Sequence, residues 1–167
     1  MTQEIKIKLA RADDLPFLWE MLFEAAAVSE SVRALGKEQA LVLPEVRKYL
    51  EGWGRAGDQA VVAFARGGQR VGAAWARCFS AAGPGFGFVA PEVPELSVAV
   101  VASMRGQGIG GALIKELMMR VRTAGYKTIS LSVDRQNRAL ALYQRLGFQD
   151  ARLSGPQESS VTMLAVL

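Results

Sequence analysis

The run LSVAVVASMRGQGIGGALIKEL, residues 96–117, restricts the fold more than any other part of this chain. Leu96 to Val101 is rich in β-branched residues, is bounded upstream by Pro94, and reads as a strand. Arg105, Gly106, Gly108, Gly110 and Gly111 then occupy five of the seven positions from 105 to 111. An apolar helix pattern follows to about Ala124, where Gly125 supplies the stop. TISLSV, residues 128–133, is the next strand. A strand–helix–strand unit within one sheet closes as a right-handed crossover with its two strands parallel or nearly so.

The flanking segments add antiparallel partners. Ile5 to Leu9 alternates apolar and polar and reads as a first strand. Asp13 or Asp14 is expected to cap a helix through LPFLWEMLFEAA, with Pro16 in its first turn. A less regular stretch follows, and a second helix is expected from near Pro44 to Gly52. QAVVAFA and RVGAAWARCF read as two strands of a hairpin turned at Gly67-Gly68. AAGPGFGFVAPEVP is a loop, ALALYQRL a short helix ended by Gly147, and two last strands are expected from Phe148 onward and in VTMLAVL. The sheet is therefore mixed and the class α/β, or α+β. At 167 residues, half of them hydrophobic, the chain is expected to form one domain over 1–167. No uncharged apolar run reaches membrane-spanning length and the N-terminus lacks a signal-peptide core. The expected setting is cytoplasmic, with no membrane partner.

Residue types exclude several chemistries. The chain has one cysteine, Cys78, and no histidine. A Cys/His zinc site, a Ser-His-Asp triad and a Cys-His pair are all ruled out, and no metal site is expected. Acid–base work falls to Asp, Glu, Tyr, Lys or water.

The charge is uneven. Residues 1–104 carry 11 Lys/Arg against 12 Asp/Glu, whereas 105–152 carry 9 against 3. The positive excess begins at the glycine run. The first amides of a helix have no partner within it and, with the helix dipole, attract anions; glycine lets the backbone approach them closely. A phosphate-binding loop is one reading, and a tight turn with close helix–sheet packing is the other. The Walker loop fails, because Ala112-Leu113 stands where Lys-Ser/Thr is required. Gly106, Gly108 and Gly111 match the dinucleotide fingerprint, with Asp134 near the place of its ribose-binding acid. The context does not match: four residues separate Val101 from Gly106, and the chain after Asp134 is too short for further strand–helix units. A nucleic-acid role has only the basic segment behind it, with 8% aromatic residues and no motif.

Arg105-x-x-Gly108-x-Gly110 resembles the Q/R-x-x-G-x-G/A signature of the GNAT superfamily of acetyl-CoA-dependent N-acetyltransferases. PELSVAV resembles that family's fourth strand, and LSVDRQNRALALYQRLGF its fifth strand, the Asn beyond it and the helix carrying a Tyr before Gly-Phe. The resemblance covers about residues 92–150. It implies a mixed sheet of about seven strands, flanked by about four helices, whose fourth and fifth strands splay to admit the cofactor. It implies acetyl-CoA as donor and a small-molecule or peptide amine as acceptor.

The resemblance also implies roles. The backbone of Arg105, Gly106, Gln107, Gly108, Ile109, Gly110 and Gly111 would hold the pyrophosphate. Val98, Ala99 and Val100 would present a strand to the pantetheine arm. Asn137 would touch that arm or start the last helix. Tyr143 would protonate the leaving thiolate, or be a core aromatic. Glu95 would be the base, or a solvent-facing strand end; Glu24 and Glu30 are weaker candidates to face the acceptor. Asp134 reads as a turn residue, Cys78 as a small apolar one, and Trp53, Trp75 and Phe86 as core or acceptor-side aromatics. Relatives acting on protein N-termini often carry Glu where this chain has Ser132, which counts against that acceptor. A non-catalytic acyl-CoA sensor and a dinucleotide-binding protein are the alternatives, and the C-terminal strands leave room for a homodimer.

Overall fold

A computed structural model describes residues 3–167. It holds a seven-stranded sheet of order β1-β2-β3-β4-β5-β7-β6. The strands are β1 Lys6–Leu9, β2 Gln59–Phe64, β3 Arg70–Arg77, β4 Glu95–Val100, β5 Thr128–Asp134, β6 Gln149–Asp150 and β7 Ser160–Val166. The helices are α1 Leu15–Ala26, α2 Glu30–Leu35, α3 Lys37–Ala40, α4 Pro44–Arg47, α5 Ile109–Thr123 and α6 Ala139–Arg145. Every neighbouring pair is antiparallel except β4–β5, which is parallel.

Strand alternation sorts the side chains onto two faces. Val61, Ala63, Ala74 and Ala76 face α5, whose Leu113, Ile114, Leu117 and Val121 are fully buried. Ala60, Val62, Ala73 and Trp75 face the other way, against Leu18, Met21 and Leu22 of α1 and Val46 and Leu50. The short side chains of β3 let a helix lie close on one face while Trp75 fills the other.

Local structure departs from expectation in four places. Asp14 precedes α1 but does not cap it. Its carboxylate instead accepts the Arg11 amide and the Arg70 guanidinium, each at 2.7 Å. Pro16 lies in the first turn and removes one of the donors a cap would serve. The helix expected from Pro44 to Gly52 stops at Arg47 and continues as turns. There the Arg77 guanidinium takes the carbonyls of Lys48 and Glu51, at 3.0 and 2.6 Å. The irregular stretch before it contains α2 and α3, so six helical segments flank the sheet rather than about four. The strand after Phe148 is two residues long, because the Asp150 carboxylate accepts the Arg152 amide at 2.7 Å and Arg152 turns at φ 59°.

β4 and β5 pair at one register position, Glu95 with Ser130, where the Ser130 amide donates to the Pro94 carbonyl at 2.9 Å. Beyond it the sheet is open on the β5 side of β4. That opening is what positions the site.

Candidate active site

A groove of about 660 Å³ follows the opening. It is lined by β4, β5, the starts of α5 and α6, the end of α1 and the loop at Phe86. Such a volume suits an extended organic ligand.

The β4 edge follows from its pairing. Val101 donates to Val71 of the β3 segment at 2.9 Å. In an antiparallel ladder the backbone groups alternate sides. Ala99, opposite Ala73, therefore spends its amide and carbonyl on β3, while those of Leu96, Val98 and Val100 face the opening. Val98 and Val100 present backbone groups to the groove, whereas Ala99, expected to do so with them, offers it a side chain only.

At the other end of β4 stands the glycine run. Gly106 and Gly108 have φ of 76° and 82°, and Gly108 is the left-handed N-cap of α5. An added Cβ would meet nothing within 4 Å at either, so backbone conformation, not crowding by the chain, is what demands glycine there. The amides of 106–111 donate to no group among the described residues; Ala112 is the first to do so, to Gly108 at 3.1 Å. A cluster of free amides at the start of a 15-residue helix has the geometry and polarity that suit an anion. Ile109 is buried, as its apolar side chain requires, while Gln107 is exposed. The Arg105 side chain is turned away from an anion at the loop: it donates to the Val100 carbonyl at 3.0 Å and to Glu24 at 2.9 Å. Its charge is therefore partly spent on Glu24.

Glu95 is 3% exposed and lines the groove, which rules out the solvent-facing strand end. Its Oε1 accepts the Gly87 amide, and its Oε2 has no hydrogen-bond partner among the described residues. Burial pushes its pKa up to about 7, against the smaller pull of the Tyr49 hydroxyl, the Gly87 amide and Lys48. The Tyr49 hydroxyl accepts the Phe86 amide at 2.8 Å. Burial and the neighbouring Glu95 charge hold its own pKa far above the usual tyrosine range, so it stays protonated.

The loop carrying Gly87 is clamped over Glu95. Gly87 also accepts the Ser130 hydroxyl at 2.7 Å. A Cβ at Gly87 would come within 2.4 Å of Glu95 and 2.6 Å of the Leu131 backbone. Alternate glycines in GPGFGF are the trace of this close approach in the sequence, and Tyr49 leaves none. Both were missed by motif reading.

Tyr143 is 9% exposed, lines the groove and packs edge-on to Phe148 at 6.0 Å. Burial alone raises its pKa to about 12, so it holds its proton at any physiological pH. It is thus both half of an aromatic core pair and a groove residue. Asn137 lines the groove while its side-chain Oδ1 accepts the Ala139 amide at 2.9 Å, at the start of α6. Asp134 makes the turn, accepting the Gln136 amide at 2.8 Å. Glu24 lines the groove and Glu30 does not. Of Trp53, Trp75 and Phe86, Phe86 alone lines it; Trp75 is fully buried core and Trp53 stacks against Arg77. Cys78 is half-buried just beyond β3.

A family model described as an acetyltransferase (GNAT) domain matches residues 56–150, which include β2 to β6. The chain belongs to the GNAT family. A ribosomal protein bS18 alanine N-acetyltransferase of Haemophilus influenzae is 28% identical over 87 residues, 47% of this chain and 60% of that relative's length. The structure of a ribosomal-protein-alanine N-acetyltransferase from Brucella melitensis is 29% identical with a TM-score of 0.69, covering 97% of this chain and 99% of that one. A PaiA N-acetyltransferase from Thermoplasma acidophilum, solved with coenzyme A, shares the fold at 19% identity and a TM-score of 0.65, covering 98% and 99%. The GNAT fold expected from the glycine run is therefore the fold observed, splayed β4 and β5 included. No described helix is long and apolar enough to cross a membrane.

Proposed function

We propose that this GNAT protein moves an acetyl group from acetyl-CoA to a primary amine by direct attack in a ternary complex. The observation that carries the reading is the opening between β4 and β5, with free amides at its α5 end and Glu95 and Tyr143 along it. The residues fit the donor. The amides of 106–111 suit a pyrophosphate. The outward backbone groups of Val98 and Val100 suit an extended amide-bearing arm, as a sheet edge suits an added strand. Bound acetyl-CoA supplies a thioester carbonyl for the amine to attack.

Glu95 takes the proton of the incoming ammonium, and a pKa near 7 suits a base that must be both ionised and effective at neutral pH. The Val98 amide stabilises charge on the carbonyl oxygen. Tyr143, protonated throughout, donates to the departing thiolate. Two of the three relatives named above are ribosomal-protein-alanine N-acetyltransferases. That supports an amine acceptor; Ser132, where N-terminal acetyltransferases often have Glu, does not favour a protein N-terminus.

Calorimetric titration with acetyl-CoA, NADH and NADPH tests the donor. Binding of acetyl-CoA alone is expected. Binding of a dinucleotide alone overturns the reading, and acetyl-CoA binding with no acetylation across an amine library makes the protein a sensor. Two substitutions separate the parts. Gly108→Asp keeps a residue type that tolerates left-handed backbone but sets a negative charge among the free amides, so acetyl-CoA affinity is expected to fall about tenfold or more. Unchanged affinity would free the loop from that role. Tyr143→Phe is expected to lower kcat about tenfold with acetyl-CoA affinity kept; an unaltered kcat removes Tyr143 from the mechanism.

A further inference from the structure

The half of the groove away from the glycine run has a definite chemistry. Its walls are apolar, from Leu22, Val28 and Val46 to the rings of Tyr49 and Phe86. Those two rings stack with centroids 6.3 Å apart and an interplanar angle of 13°. Phe86 is nonetheless 64% exposed, a large aromatic surface left open at the groove. The charges there are of one sign. Glu95 presents an unpartnered, buried Oε2, and Glu45 lines the same region.

Cations are missing or committed. Arg105 is the one basic side chain lining the groove among the described residues, and it is bonded to Glu24 and the Val100 carbonyl. Lys48 lies behind the aromatic pair, with its ammonium bonded to the Pro84 carbonyl and 5.7 Å from the Phe86 ring centroid. Its charge already bears on Glu95. A carboxylate one carbon from the reacting nitrogen would lie close to Glu95 with no free cation to meet it. Such a group is rejected by repulsion and lost hydration together.

We infer that the acceptor is a primary amine carried on an uncharged apolar group that packs against Phe86 and Tyr49, with no carboxylate beside the amine. Free α-amino acids are therefore poor acceptors. This rests on the acetyltransferase reading above and narrows it.

Phenethylamine and phenylalanine share ring and amine and differ by the carboxylate. With acetyl-CoA as donor, kcat/KM is expected to be at least about tenfold higher for phenethylamine. Phe86→Ala is expected to lower the phenethylamine value several-fold with acetyl-CoA affinity unchanged. Val28→Lys, at a site 55% exposed, adds a cation to the groove and is expected to narrow the gap by raising the phenylalanine value. Equal or better use of phenylalanine by the parent overturns the inference. So does acetyl-CoA binding without acetylation of either amine while other amines are acetylated. Failure to bind acetyl-CoA is a different result, and both this inference and the donor reading then fall.

Discussion

Glu95→Gln is expected to lower kcat/KM for acetyl transfer by about 10²–10³-fold with acetyl-CoA affinity little changed. Glutamine keeps the acceptor oxygen for the Gly87 amide, so the loop should stay in place. What it loses is the ability to take a proton. The parent rate should rise with pH to a plateau, with an apparent pKa near 7, because the carboxylate must be ionised to act. The variant should lack that limb. Stability moves the other way. A Glu whose folded pKa lies above its unfolded value of about 4.3 favours folding while protonated, and that contribution is lost as pH rises toward 7. The variant should therefore lose less stability than the parent between about pH 4 and 7. A rate within threefold of the parent, with the limb intact, would assign the base to another group or to water.

Asp58→Ala is expected to destabilise the fold by about 3–5 kcal/mol, read as a lower urea midpoint with an unchanged slope. The Arg77 and Asp58 side chains are 1% and 4% exposed and paired two-pronged, at 3.1 and 2.8 Å. Asp58 also accepts the amides of Gly54 and Arg55, both at 3.0 Å. Removing it leaves a buried guanidinium without its counter-charge. Asp58→Leu combined with Arg77→Met should recover much of the loss, since the cost lies in the orphaned charge and not in the absence of a pair. A loss under about 1 kcal/mol for Asp58→Ala would mean that water reaches Arg77 once the carboxylate is gone. The clip also bears on the site, because Arg77 holds the Lys48 carbonyl immediately before Tyr49 and pairs with Glu95 across β3–β4.

Parts of the molecule differ in how openly the sequence displays them. The strand, glycine turn and helix from Leu96 to Ala124 are determined by neighbours in the chain: β-branched residues, positive-φ glycines and an apolar stripe. They were legible, and with them the parallel β4–β5 pair and the turn whose amides are left free at the start of α5. The hairpin at Gly67-Gly68 was legible for the same reason. The ends of short elements were not. Pro44–Arg47 is cut short where a guanidinium from β3 takes its following carbonyls, and the sequence around it gives no sign of that.

The sequence by itself determined the class of fold, the family and the left-handed glycine turn that opens α5, because those depend on local conformation and on one contiguous segment. Only the tertiary structure decided the state of Glu95 and the direction of Arg105. The first depends on Gly87 and Tyr49, 8 and 46 positions away, burying a carboxylate; the second on Glu24, 81 residues upstream, reaching the guanidinium. Burial and charge pairing are sums over neighbours in space, and chain spacing does not encode them.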